Sequence, residues 1–164
     1  MTNDREYRVF RESDKRVQGI TSSMADAPWI STFIAVALIP VAFLFTHAYF
    51  SGRRKLQFHK FTGTAGIVWD LTLSIFYMLF RLTGGEVEGS ALEITPALSV
   101  YFAAHGMIAI LVIALEFTML GTGLLQLRRR VPVKWHSKLA LPLYILWFAA
   151  FLSGEAVYIV YYVL

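Results

Sequence analysis

Four long apolar runs set the pattern of the chain: residues 29–50, 61–80, 97–126 and 139–164. Each reaches the roughly 20 residues that a helix needs to cross the hydrocarbon of a bilayer, which predicts four transmembrane helices. The first run carries no formal charge, and the others carry one acid each: Asp70, Glu116 and Glu155. Residues 1–28 are polar and mixed in charge, too long and too acidic for the n-region of a cleaved signal, so they are expected to form an N-terminal extramembrane arm ahead of a retained first helix. The connections are short. The expected architecture is therefore all-α, an integral membrane four-helix bundle running up and down over 29–164, with the second and fourth helices parallel on one diagonal.

Charge adds an orientation. Arg53, Arg54, Lys55 and Lys60 follow the first run, and Arg128, Arg129, Arg130, Lys134 and Lys138 follow the third, with no acid among them. The middle connection instead sets Arg81 against Glu86, Glu88 and Glu93. The positive-inside rule puts both basic loops in the cytoplasm and both termini outside, in a membrane of bacterial or archaeal cytoplasmic type. Both basic loops end on an aromatic residue and a histidine, Phe58-His59 and Trp135-His136, so the chain reads as two tandem helical hairpins.

Composition narrows the chemistry. The 164 residues are 57% hydrophobic and 16% charged, which a soluble globule of this size does not need. There is no cysteine, so disulfides, thiolate catalysis, iron-sulfur clusters and Cys-ligated zinc are excluded. The net charge of +4 sits beside apolar runs, where lipid headgroups rather than nucleic acid read it. Histidine and carboxylate chemistry remain.

Each predicted helix carries one of the four histidines, His47, His59, His105 and His136. Ionisable groups in lipid are costly and face the bundle interior, where imidazoles on facing helices hold haem iron or another metal. His59 shares a helical face with Gly63, Gly66, Asp70 and Tyr77, and His136 with Ala140, Leu143, Trp147, Gly154 and Tyr158. Small residues beneath each ring leave room for a flat macrocycle. The two histidines enter from the same end on diagonal helices, the condition for two axial ligands of one haem. His47 belongs to that end, roughly 9 Å inward at 1.5 Å per residue. It is open as a substitute ligand, a partner for a haem propionate, or the third member of a three-histidine metal site. His105 lies near the outer face with no second histidine at its level. Each ring also has a plainer use, as an interfacial hydrogen-bonding group.

The buried acids offer protons. Asp70 and Glu116 fall at similar depth on neighbouring helices, as a proton-carrying or quinol-deprotonating pair or as a neutral pin between helices. Glu155 is expected to meet a partner subunit or to line an outer pocket with Tyr158 and His105. Trp69 and Trp147 lie deep enough to pack on a porphyrin or between helices.

His59-Lys60, Ala104-His105-Gly106-Met107, and the stretch from His136 through Leu141-Pro142-Leu143-Tyr144 and Ser153-Gly154 to Val157-Tyr158 resemble the small four-helix membrane family DUF420, over roughly residues 30–164. Glu155 and His47 depart from that pattern. The resemblance implies a link to the making or working of haem-copper terminal oxidases. The interval from His59 to Gly63 is also loosely similar to transmembrane b-type cytochromes. Three functions are thus expected in competition: a haem b electron-transfer protein or redox subunit exchanging electrons with quinol or a partner; an assembly factor handling haem or copper; and a structural subunit of a larger membrane complex or homo-oligomer. Whether the chain is an enzyme is left open by these residues.

Overall fold

The structure, a computed structural model, describes residues 29–83, 95–129 and 133–162. The expected arm at 1–28, the middle acids Glu86, Glu88 and Glu93, and Arg130 lie outside the described residues. Four helices account for nearly all of what is described: α1 (Trp29–Arg53), α2 (Phe58–Leu82), α3 (Pro96–Arg129) and α4 (Lys134–Tyr162). Each is long and apolar enough to span a bilayer, and among the described residues there is no strand. The all-α membrane bundle expected from the hydrophobic runs is the fold.

The helices overrun the apolar limits. α1 continues to Arg53, α2 begins at Phe58 and α4 at Lys134, because backbone hydrogen bonding does not stop where the hydrocarbon does. The consequence is local and useful: His59 and His136 both sit in the first turn of a helix rather than in a loop. α1 ends in a reversal in which Lys55, at φ 55°, takes the left-handed conformation. The Lys55 N–H donates to the Gly52 carbonyl at 3.0 Å and the Leu56 N–H to the Ser51 carbonyl at 2.9 Å. This pair of bonds is a Schellman cap, satisfying carbonyls at the end of α1 and returning the chain within four residues. Pro40 in α1 and Pro142 in α4 are accommodated within continuous helices.

α1 lies along α2 and α3 along α4, forming two hairpins. The hairpins join through α1 against α4 and, more lightly, α2 against α3, leaving α2 and α4 on one diagonal. Between them runs a narrow core of Val41, Phe45, Ile67, Leu71, Val112, Met119, Leu143 and Trp147. Trp147 is its keystone: its ring stacks on Phe45 at 4.7 Å and on Phe151 at 5.2 Å between centroids. Large apolar side chains cover the outside instead of water-soluble ones, with Phe43 73% and Met107 67% exposed. Such a surface is consistent with a lipid environment. In lipid, apolar burial does not drive helices together, so contact, small residues and interhelical hydrogen bonds must hold the bundle.

Candidate histidine centre and acid layer

At the end of the bundle where both basic turns lie, the rings of His59 and His136 face each other across the diagonal. Their centroids are 6.1 Å apart and their planes cross at 77°. The rings are too steeply crossed to stack, so each is held from behind. The His59 Nδ1 lies 2.8 Å from the Ala48 carbonyl oxygen of α1. A carbonyl can only accept, so Nδ1 carries a proton and is the donor. For His136 the partner is Thr122 on α3, with Nδ1 to Oγ1 at 3.0 Å. Thr122 already spends its single hydroxyl hydrogen on the Thr118 and Met119 carbonyls, at 2.8 and 3.1 Å. Its oxygen therefore accepts, and His136 is likewise protonated on Nδ1.

Glycines make the seats. A Cβ on Gly52 would stand 2.8 Å from both Cε1 and Nδ1 of His59, so the ring occupies the space that any other residue at 52 would fill. A Cβ on Gly123 would meet Cε1 of His136 at 3.4 Å. Gly63, expected beneath His59, is there, with the ring at ordinary contact distance from where its Cβ would be, 3.9 Å.

His47 does not join the pair. It is exposed on α1, and its Nδ1 bonds Thr62 Oγ1 of α2 at 3.2 Å. Among the described residues no three His, Asp or Glu side chains converge as a metal-ligand set, so a three-histidine arrangement is not assembled. His105 lies at the opposite end, its Nδ1 on Ser153 Oγ at 2.7 Å, with Cε1 3.5 Å from where a Cβ on Gly154 would stand. Ser153 donates to the Ala150 carbonyl, which fixes His105 as the donor too. Tyr101 adds a bond from its hydroxyl to the Ser153 carbonyl at 2.8 Å. Tyr158, grouped with the outer residues by sequence, is tied to Thr32 of α1 at 3.0 Å, and Glu155 is partly exposed nearby.

Between the two histidine levels lies an acid layer. Asp70 is 3% exposed and Glu116 0%, and their side chains interact directly. Trp147 crosses the diagonal from α4 to donate its indole N–H to Asp70 Oδ1 at 2.9 Å, and Ser74 donates to Oδ2 at 3.4 Å. Trp147 is thus engaged with an acid and two phenylalanines rather than lining the histidine pair. Trp69, 44% exposed, faces outward. The layers are evenly spaced along three helices: Asp70 follows His59, Glu116 follows His105 and Trp147 follows His136 by eleven positions each, about 16 Å at the helical rise.

Thr122 and Ala48 escaped sequence reasoning, and Ser153 entered it only as part of the family resemblance, not as a histidine partner. Their roles depend on the register between helices, and Thr or Ser within a transmembrane run is too common a feature to single them out. No family model, curated protein or solved structure matches this chain.

Proposed function

We propose that the chain is a membrane-embedded haem b protein, a cytochrome or the haem-bearing subunit of a redox complex, that exchanges single electrons with a quinol-level donor or a protein partner. The observation that carries this reading is the adjacent pair His59 and His136, ring centroids 6.1 Å apart, each with Nδ1 engaged by the protein, so that a neutral ring would offer Nε2 to a metal. Ligating histidines characteristically donate their other ring nitrogen to a carbonyl or similar acceptor, which fixes tautomer and orientation and raises ligand basicity. The spacing also fits. Rings at that separation are close enough that both imidazoles could hold one metal ion between them.

His59 and His136 would hold the iron, and Gly52, Gly63 and Gly123 keep the space around the two rings free of side chains. A bound haem iron supplies one-electron chemistry, its potential set by axial ligands, hydrogen bonding and burial. The residues present act by holding the two part-buried imidazoles through Nδ1 against the Ala48 carbonyl and the Thr122 hydroxyl. The basic turns around Arg53, Arg54, Lys55 and Arg128, Arg129 support placing this end at the cytoplasmic face with both termini outside.

The test is optical. Protein purified in detergent is expected to be red and to give a reducible low-spin b-type spectrum, lost in His59→Ala and in His136→Ala and retained in His47→Ala. A colourless wild-type protein that does not take up added haemin refutes the reading. One feature favours a second reading, an assembly factor that passes copper or haem to an oxidase: His47 stands exposed beside the inner pair, a position suited to receiving a metal from outside. Stoichiometric copper binding by colourless protein, weakened in His47→Ala, selects that alternative.

A further inference from the structure

We propose that Asp70 and Glu116 form a one-proton binding site at the centre of the bundle, with Glu116 as the acid and Asp70 as the anion. The inference goes beyond the haem reading and does not depend on it.

The argument begins with an imbalance of donors. Glu116 is fully buried, and neither of its carboxyl oxygens has a hydrogen-bond donor among the described residues. Asp70 has two, the Trp147 indole at 2.9 Å and the Ser74 hydroxyl at 3.4 Å. A buried carboxylate without a donor is costly, whereas one that accepts several hydrogen bonds is stabilised as the anion. The two side chains meet directly. Two bare carboxylates would leave Glu116 unsatisfied and repelled by its neighbour. One proton on Glu116, donated to Asp70, removes both faults and gives Asp70 its third donor.

The surroundings supply no other counter-charge. Between Trp29 and Gly52, α1 contains no Lys, Arg, Asp or Glu, and its only titratable groups are His47 and Tyr49, toward the basic end. Along α2, Asp70 and Tyr77 are the only titratable groups between Lys60 and Arg81. α3 adds Tyr101, His105, Arg128 and Arg129, and α4 adds Lys134, Lys138, Tyr144, Glu155, Tyr158, Tyr161 and Tyr162. The Lys and Arg are all at the basic end, two or more helical turns from this layer, and His59, His105 and His136 are each three turns from it. A metal cation is a poor alternative occupant, because the indole N–H aims its positive end at the oxygen such a cation would need. The chemistry therefore selects a proton, exchangeable and held in hydrocarbon-depth protein with one net negative charge.

Infrared spectroscopy on the full chain in lipid nanodiscs reads this directly. At neutral pH the wild type should show a carboxylic-acid C=O band that shifts down in D2O. That band should be lost in Glu116→Gln, whose amide can still donate to Asp70, and retained in Asp70→Asn. Acid signal from Glu155 is common to all three proteins and cancels in the difference spectra. Absence of a wild-type minus Glu116→Gln acid band overturns the proposal. So does a band that survives Glu116→Gln and vanishes in Asp70→Asn, which would put the proton on the other carboxyl. If Glu116→Gln cannot be isolated, loss of the wild-type band in Asp70→Asn refutes the assignment on its own.

Discussion

Replacing Gly52 by alanine adds one methyl group, and the structure states what it would strike. The new Cβ would fall 2.8 Å from two atoms of the His59 ring and 3.3 Å from a third. An imidazole is rigid, so the ring must swing away as a body and surrender its 2.8 Å bond to the Ala48 carbonyl. Overpacking of this kind costs about 1–3 kcal/mol. The lost interhelical hydrogen bond adds about 0.5–1.5 kcal/mol, with values measured inside membranes toward the lower end. Less a helix-propensity gain of up to about 1 kcal/mol, Gly52→Ala should therefore destabilise the bundle by roughly 0.5–4.5 kcal/mol. Gly106→Ala is the control, since a Cβ there meets nothing within 4 Å and helix propensity favours alanine by up to about 1 kcal/mol. Unfolding of both variants and wild type by a denaturing detergent titrated into mild micelles, followed by circular dichroism, measures the difference. Gly52→Ala should also lose whatever ligand the wild type holds through His59. A Gly52→Ala protein as stable as Gly106→Ala, with its ligand intact, would show that the seat does not position the ring.

Other outcomes follow from the same contacts. Trp147→Phe keeps an aromatic surface against Phe45 and Phe151 but removes the donor to Asp70, and should cost about 1–2 kcal/mol in the same unfolding assay. Thr122→Val removes the acceptor that holds the His136 tautomer; it should weaken ligand affinity by about 10- to 100-fold while leaving the helical circular dichroism signal unchanged. Lys55→Gly relieves a left-handed non-glycine residue and should stabilise the bundle by up to about 1 kcal/mol in the same unfolding assay. Because the chain has no cysteine, single cysteines report topology without background. Gln57→Cys and Ser137→Cys should react with an impermeant thiol reagent from one side of sealed vesicles and Thr83→Cys from the other.

The fold was legible because lipid imposes a length: a run of about 20 apolar residues has few other uses. The facing of His59 and His136 was legible for a related reason, since depth from a basic turn and helical phase together place a ring to within a few ångströms. Helix ends were not, because hydrogen bonding carries α1 past Phe50 to Arg53 and starts α2 three residues before the apolar run does. The orientation of His47 was also beyond reach. Its depth agreed with that of the pair, but a small rotation of α1 decides whether the ring turns inward or toward Thr62. Trp147 is the instructive case. Its depth suggested a wall for a flat ligand, but the indole is claimed by Asp70, a partner on a helix that α4 does not pack against directly.

The interval of eleven recurs on three helices, and eleven residues make three turns with only about 20° left over. A histidine and its mid-bundle counterpart thus share a side of the rod. Adding or deleting a single residue between 59 and 70, 105 and 116, or 136 and 147 would twist the two ends by about 100° relative to each other. One member of the pair would then be turned out toward acyl chains. These three stretches should accept changes of letter far more readily than changes of length, a constraint of spelling that the water-exposed turns do not share.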